Sequence, residues 1–215
     1  MKTNAHECRG FTLVELMVAI GLVGVLISFA APDMSEFLRN SRVNASADAM
    51  LRSFNLARAE AIKRQLPLAT GGGVTPGVTV CASNSTNGLA DTALDCNGGE
   101  FIDWFVFVDD NGDGAHDSAE AVIARHERVH DDVIARQDSN GRMTFNSAGF
   151  AYPFVGANTA PVRNIVFCDR HGIVNLTNDR TNARAVRLSA TGRASVTRSL
   201  ANVNATLAAI RGVCP

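Results

Sequence analysis

GFTLVELMVAIGLVGVLISFAAP, residues 10–32, decides how the chain is read. From Phe11 to Ala31 it holds a single charge, Glu15, and a helix of that length spans about 30 Å, the thickness of a bilayer's hydrocarbon core. The expectation is a membrane segment over 11–31. The polar stretch before it, MKTNAHECRG, carries Lys2 and Arg9 and ends in Gly10. An ordinary secretory signal places its small-residue cleavage site after the apolar run; here a small residue stands before it, although Val23 to Ala31 also ends in small residues and leaves conventional cleavage as an alternative. Glu15 weighs against that alternative. A carboxylate inside a bilayer is costly unless it finds a partner, so an acid at that depth is a functional candidate, and a simple anchor has no use for one.

Beyond Pro32 the run DMSEFLRNSRVNASADAMLRSFNLARAEAIKRQ keeps helical periodicity, with Met34, Phe37 and Leu38 on one stripe and Leu51, Phe54, Ala57 and Ala61 on its continuation. Asp33 is placed to cap the restarted helix, Lys63 and Arg64 suit its last turn, and Pro67 stops it. A helix from Phe11 to Gln65 would be roughly 80 Å long, so its first half needs lipid or neighbouring helices, and only its second half can pack on its own head. Of the 215 residues, 46% are hydrophobic and 19% charged. Without the leader and the apolar run, roughly 180 remain, enough for one domain with a sizeable core.

From Thr70 the texture changes to short apolar or alternating runs broken by Gly, Asn and Asp. Strands are expected at Val78–Ala82, Trp104–Val108, Arg142–Asn146, Ile165–Cys168, Ala185–Ser189 and Ala194–Arg198, and GlyGlyGly at 71–73 reads as the exit from the helix. The fold class is therefore α+β: a long N-terminal helix whose second half packs on a mainly antiparallel β head. The expected divisions are a leader at 1–10, an apolar helix at 11–31, an amphipathic continuation at 32–66 and a head at 67–215.

Gly10-Phe11-Thr12-Leu13-Val14-Glu15 resembles the type III signal sequence of type IV prepilins and type II secretion pseudopilins. That resemblance implies cleavage after Gly10 by a prepilin peptidase, N-methylation of the new terminal Phe11, and pairing of Glu15 with a neighbouring subunit's N-terminus. The physics agrees, because a buried carboxylate and a charged amine offset each other's desolvation and so set a register. Pro32 falls where pilins commonly carry a helix-kinking proline, which implies a bend and not an end. In the head, WFVFVDDNGDG (104–114), NIVFCDRHG (164–172) and AVRLSATGRASV (185–196) resemble strand motifs of the GspH/FimT branch. That branch includes a secretion pseudopilin and minor pilins near filament tips, and some members bind DNA. The resemblance implies a non-enzymatic minor type IV pilin, held single-pass in the inner membrane with a periplasmic head before it enters a filament tip and primes assembly. Its partners would be prepilin peptidase and other minor pilins or pseudopilins, met through the N-terminal helix. A pseudopilin of a type II secretion system and a DNA-binding tip subunit for natural transformation are the alternatives.

Cys8 lies in the leader, and Cys81, Cys96, Cys168 and Cys214 remain as an even set in an oxidising compartment. Of three pairings, Cys81 with Cys96 closes a short loop and Cys168 with Cys214 ties down the C-terminus. Charge is segregated: residues 84–138 hold thirteen acids against three arginines, and 160–215 hold eight arginines against two aspartates. Arg180, Arg184, Arg187, Arg193 and Arg198 could form a phosphate-contacting face or dock the acidic region of a neighbouring head. The resemblance to FimT proteins would imply a DNA-binding Gly-Arg-x-Arg tail, and Gly192-Arg193-Ala194-Ser195 departs from it by lacking the second arginine.

Two motifs suggest metal. Residues 109–120 match an EF-hand loop, with oxygen ligands at Asp109, Asn111, Asp113, Asp117 and Glu120, Gly114 at the sharp turn and the Ala115 carbonyl available. The flanking WFVFV reads as a strand, so an acidic hairpin turn is the competing reading; no cofactor is required, and calcium is the candidate. His126-Glu127-Arg128-Val129-His130 spells HExxH, but it has no third ligand at a suitable spacing, and the pilin-like resemblance implies strands there. No phosphate-cradling GxxxxGKS loop occurs, and the expectation is not an enzyme.

Overall fold

The computed structural model describes residues 11–67, 76–83, 90–96, 99–127, 129–138, 141–152, 163–173, 175–176, 178–210 and 212–214, with the backbone alone at 29–33, 92, 152 and 175. Gly10 and the GlyGlyGly run lie outside the described residues. The chain divides into two compact units, Met1–Arg39 and Asn40–Pro215.

The first unit holds the start of helix α1, Leu13–Arg64. Every described side chain from Phe11 to Ser28 is exposed, so Leu13, Leu16, Ile20 and Leu26 form a continuous apolar surface that calls for lipid or neighbouring helices. Among the described residues no helix is long and apolar enough to cross a membrane; the described side chains stop at Ser28 and resume at Met34. α1 continues through position 32, so Pro32 does not end it. It ends three residues before Pro67, where Gln65 enters the left-handed region at φ 49°. Lys63 and Arg64 occupy the last turn as expected, each bonded to Glu60 at 3.1 and 3.3 Å.

In the second unit α1 contributes Val43, Ala47, Met50, Phe54, Ala57 and Ala61 to the main core. Steps of four and three residues keep these on one helical face. The stripe differs from the expected one: Met50 is fully buried and Leu51 only partly, Val43 and Ala47 join it, and Met34, Phe37 and Leu38 are exposed.

Two five-stranded antiparallel sheets follow. The first sheet runs in the order β3-β2-β1-β5-β6, built from β1 (Gly77–Ser83), β2 (Asp103–Asp109), β3 (Val122–His126), β5 (Arg142–Phe145) and β6 (Ala151–Tyr152). The second, β10-β9-β7-β4, uses β4 (Val133–Gln137), β7 (Asn164–Asp169), β9 (Arg180–Leu188) and β10 (Ala194–Ser199), with β8 (Asn175–Leu176) paired to β9. Each of the six expected strands is present. β9 begins earlier than expected, and β3, β4 and the two-residue strands β6 and β8 are additional.

Alternation places the two faces of each sheet in different environments. Val78, Val80, Trp104 and Val106 face the core with α1, as do Ile165, Phe167, Val186 and Leu188 from the second sheet. Cys81, Phe105 and Phe107 face outward under Leu94 and Cys96. On the outside of the second sheet, Val166, Cys168, Ala183 and Ala185 are covered by Val203 and Leu207 of a C-terminal helix, α2 (Leu200–Ile210), which the sequence reading did not anticipate. Ser199 Oγ accepts the Asn202 N–H at 3.4 Å, and Asp179 Oδ1 accepts the Ala201 N–H at 3.1 Å, satisfying donors that the first turn leaves open.

Polar contacts also fasten α1 to the head besides its apolar stripe. Arg42 bonds Asp132 at 2.7 Å, the Trp104 indole N–H donates to Ser53 Oγ at 2.9 Å, and Arg58 Nε donates to the Gly149 carbonyl at 3.0 Å.

Candidate functional site

At the start of α1, Thr12 and Glu15 form a capping box. The Thr12 N–H and hydroxyl both donate to Glu15 Oε2 at 3.1 Å, and the Glu15 N–H donates to Thr12 Oγ1 at 3.2 Å. The Thr-x-x-Glu spacing makes this reciprocal arrangement, and the helix dipole favours an acid at this end. The single carboxylate of the apolar segment thus has two donors from its own chain, one residue from the exposed Phe11.

Both disulfides pair as expected, Cys81 with Cys96 and Cys168 with Cys214. The first closes the outer cover of β1 and β2. The second joins β7 to the segment after α2.

The acidic loop joins β2 to β3. Gly112 and Gly114 adopt φ of 70° and 72°, a backbone that side chains disfavour. Asp109 is fully buried; its Oδ2 accepts from the Gly114 N–H at 2.9 Å and the Thr79 hydroxyl at 3.2 Å, while its Oδ1 has no hydrogen-bond partner. Burial, reinforced by the Glu120 charge, pushes the Asp109 carboxyl up to about 6, against the donors at Gly114, Thr79 and Gly112. Burial likewise raises Glu120, whose oxygens accept the N–H groups of Asp110 and Asp117, each at 2.9 Å. Asn111 Nδ2 donates to Asp113 Oδ2 at 3.1 Å and Asp117 Oδ2 at 3.0 Å. Among the described residues, no three acidic, histidine or cysteine side chains are gathered at metal-ligand spacing. His116 anchors the loop, its ring edge-on to Phe105 and Phe107 at 5.3 and 5.0 Å.

The five expected arginines do not share one face. A cleft of about 640 Å³ on the second sheet is lined by Arg187 and Arg193 together with Arg163, which the sequence reading had not singled out, and by Asn164, Ser189 and Ser195. Arg184 lies toward α1: burial and then the adjacent Arg198 charge lower its pKa, opposed by Asp48. Arg180 stands at the far end of β9, opposite Ser199. The turn carrying Arg193 is fixed from beneath, because Gly192 sits at φ 75° and a Cβ there would lie 2.0 Å from the Gly149 carbonyl oxygen.

The HExxH residues do not form a metal site. His126, at the end of β3, stacks on Trp104 with centroids 3.7 Å apart and planes 4° from parallel, and burial lowers its pKa. His130 lies in the following loop beside Asp132. A strand and a loop replace the single helical face that HExxH chemistry needs.

The chain matches the family described as Type II transport protein GspH over residues 46–192 and the Prokaryotic N-terminal methylation motif over residues 6–31. It is 32% identical over 108 residues to the Type IV narrow pilus major component PilA5 of Thermus thermophilus, a similarity spanning 44% of this chain and 91% of that protein. Among solved structures, the type IV minor pilin FimU of Pseudomonas aeruginosa covers 76% of this chain and 94% of its own at 17% identity, with a TM-score of 0.46. The first match extends over more than half of the sequence and the second over the segment that carries Gly10, Phe11 and Glu15, so the chain belongs to the GspH family of type IV pilin-like proteins.

Proposed function

We propose that this chain is a minor pilin: a single-pass inner-membrane protein, cut after Gly10 by prepilin peptidase, methylated at Phe11, and taken into a filament tip where it primes assembly. The observation that supports this best is the Thr12–Glu15 box at the head of a helix whose first half is apolar and exposed. A carboxylate already held by its own chain can enter lipid at reduced cost, then exchange those donors for a neighbour's terminal amine in the filament. The test is complementation of a strain lacking the chain, counting surface filaments with wild type and with Glu15→Val. The expected result is normal leader cleavage with few or no filaments for the variant. Normal filament numbers would sink the reading, and intact filaments with lost protein secretion would favour a type II secretion pseudopilin, the role named in the family's description.

The cleft lined by Arg163, Arg187 and Arg193 favours a second reading, a tip subunit that also holds DNA. Phosphate contacts of this kind weaken linearly in log salt. In mobility shifts with the full chain in detergent, Arg187→Ala/Arg193→Ala should lower both affinity and salt dependence, and Arg184→Ala/Arg198→Ala should change them little. Equal effects from both pairs would refute the cleft as the contact.

A further inference from the structure

The acidic loop between β2 and β3 has no part in the reading above, yet its oxygen donors are arranged for more than a turn. Positions 1, 3, 5, 9 and 12 of the twelve-residue stretch 109–120 are Asp, Asn, Asp, Asp and Glu, the side-chain ligand positions of a calcium loop, with glycine at position 6. A row of acids alone would fit an exposed hairpin equally well. What separates the two is Asp109. It is 0% exposed, and its Oδ1 has no hydrogen-bond donor, although the loop folds back over the same carboxylate to place the Gly114 N–H on Oδ2. A buried carboxylate oxygen without a donor is costly to keep, and a hairpin gains nothing from burying its first residue in this way. A hard cation in the loop would complete its coordination.

A second observation points the same way. The carboxylates of Asp113 and Asp117 converge on one partly positive group, the Asn111 amide nitrogen. Binding a cation here would require this amide to turn away and Glu120 to leave the N–H groups of Asp110 and Asp117.

We propose that residues 109–120 form a calcium site, with ligands from the side chains of Asp109, Asn111, Asp113, Asp117 and Glu120 and from the backbone carbonyl of Ala115. Calcium fits better than magnesium, because a flexible loop offering six or more oxygens suits the larger ion, whereas magnesium demands a near-ideal octahedron and keeps its waters. Affinity belongs in the range of extracellular modules, a Kd of about 10⁻⁴–10⁻³ M. The site ties β2 and β3 to the layer held by His116 and the first disulfide, so binding stabilises the head.

The test uses the full chain in detergent. Isothermal titration with calcium chloride should show one ion bound per chain. In 10 mM calcium the melting temperature, read from Trp104 fluorescence, should rise by about 5–10 °C over that in chelator, and by less than half of that in 10 mM magnesium. Asp109→Asn supplies the decisive comparison, since it keeps the shape and removes the buried charge. It should lose the calcium shift while melting no lower than wild type in chelator. No calcium-dependent shift in wild type, an equal shift with magnesium, or a shift that persists in Asp109→Asn would each overturn the assignment and leave the stretch an acidic hairpin.

Discussion

Replacing Gly192 by alanine tests how the arginine-bearing turn is held. The β9–β10 turn closes with the Gly192 N–H on the Ser189 carbonyl at 2.9 Å and the Ser189 N–H on the Arg193 carbonyl at 2.9 Å, and Gly192 supplies its left-handed residue. An L side chain there costs about 1–2 kcal/mol in backbone strain. The new Cβ would also lie 2.0 Å from the Gly149 oxygen and 3.3 Å from Arg58 Nε, so the turn must lift and the partly buried Arg58–Gly149 bond breaks, worth about 1.5–3 kcal/mol for a charged donor. The sum, about 2.5–5 kcal/mol, corresponds to a fall of roughly 10 °C in melting temperature for a protein of this size. Trp104 is the sole tryptophan and is wholly buried in the head's core, so its fluorescence reports this melt without interference from the apolar helix. Arg58→Ala alone should cost only the hydrogen bond. The double variant should then fall well short of the sum of the two, because the same bond cannot be lost twice. A Gly192→Ala protein melting within 2 °C of wild type, or strict additivity with Arg58→Ala, would show that the turn does not rest on this contact.

Three other outcomes can be measured on the same sample. Met50→Ala should cost about 2–5 kcal/mol and Leu51→Ala less than about half of that, which checks the helix face in denaturant titrations. Burial holds the folded-state pKa of His126 below its unfolded value, so its contribution to stability is present above the unfolded pKa and is lost as pH falls through that value toward the depressed one; against wild type, His126→Phe should flatten the stability profile between pH 7.5 and 5, and an unchanged profile would contradict the buried stack. Opening the second disulfide with Cys168→Ser/Cys214→Ser releases a link between residues 46 apart and should cost about 4 kcal/mol, with hydrogen exchange in 200–210 rising more than in β1.

Much of this architecture was legible because the signals are local. The Gly10–Glu15 motif, the apolar run, the helix end at Lys63 and Arg64 and six strands can each be read from neighbouring residues, and the two cysteine pairs followed from an even count and the loops each pairing would close. What escaped depends on distant partners. Val-Ile-Ala-Arg occurs twice, at 122–125 and 133–136, yet the first copy pairs with β2 in one sheet and the second with β7 in the other. The same four residues cannot announce two different neighbours. α2 did leave a trace, a Ser199 cap followed by apolar residues at 200, 203, 207 and 210, but it follows β10 without a break and so hid behind the strand pattern. The arginines were legible as a charge run and not as a surface. Arg184 and Arg187 stand three apart on one strand, which sends them to opposite faces, and Arg163 joins the cleft from the residue just before β7. In the acidic loop the spacing was readable, whereas the bonds that Asn111 makes to two of the proposed ligands were not.

The two sheets share no ladder bond among the described residues, and each disulfide stays on its own side of the core, Cys81 with Cys96 beside the first sheet and Cys168 with Cys214 beside the second. Neither covalent links nor strand pairing therefore couples the halves, and the task falls to the apolar cluster in which α1 supplies Val43, Ala47, Met50, Phe54, Ala57 and Ala61. This sets where the protein can be shortened. A soluble form that begins shortly before Val43 keeps every one of those side chains and sheds the apolar surface that demands lipid. One that begins only a turn or two later loses Val43 and Ala47 from the cluster between the sheets, so it would pass a disulfide assay and still hold its two halves together less firmly.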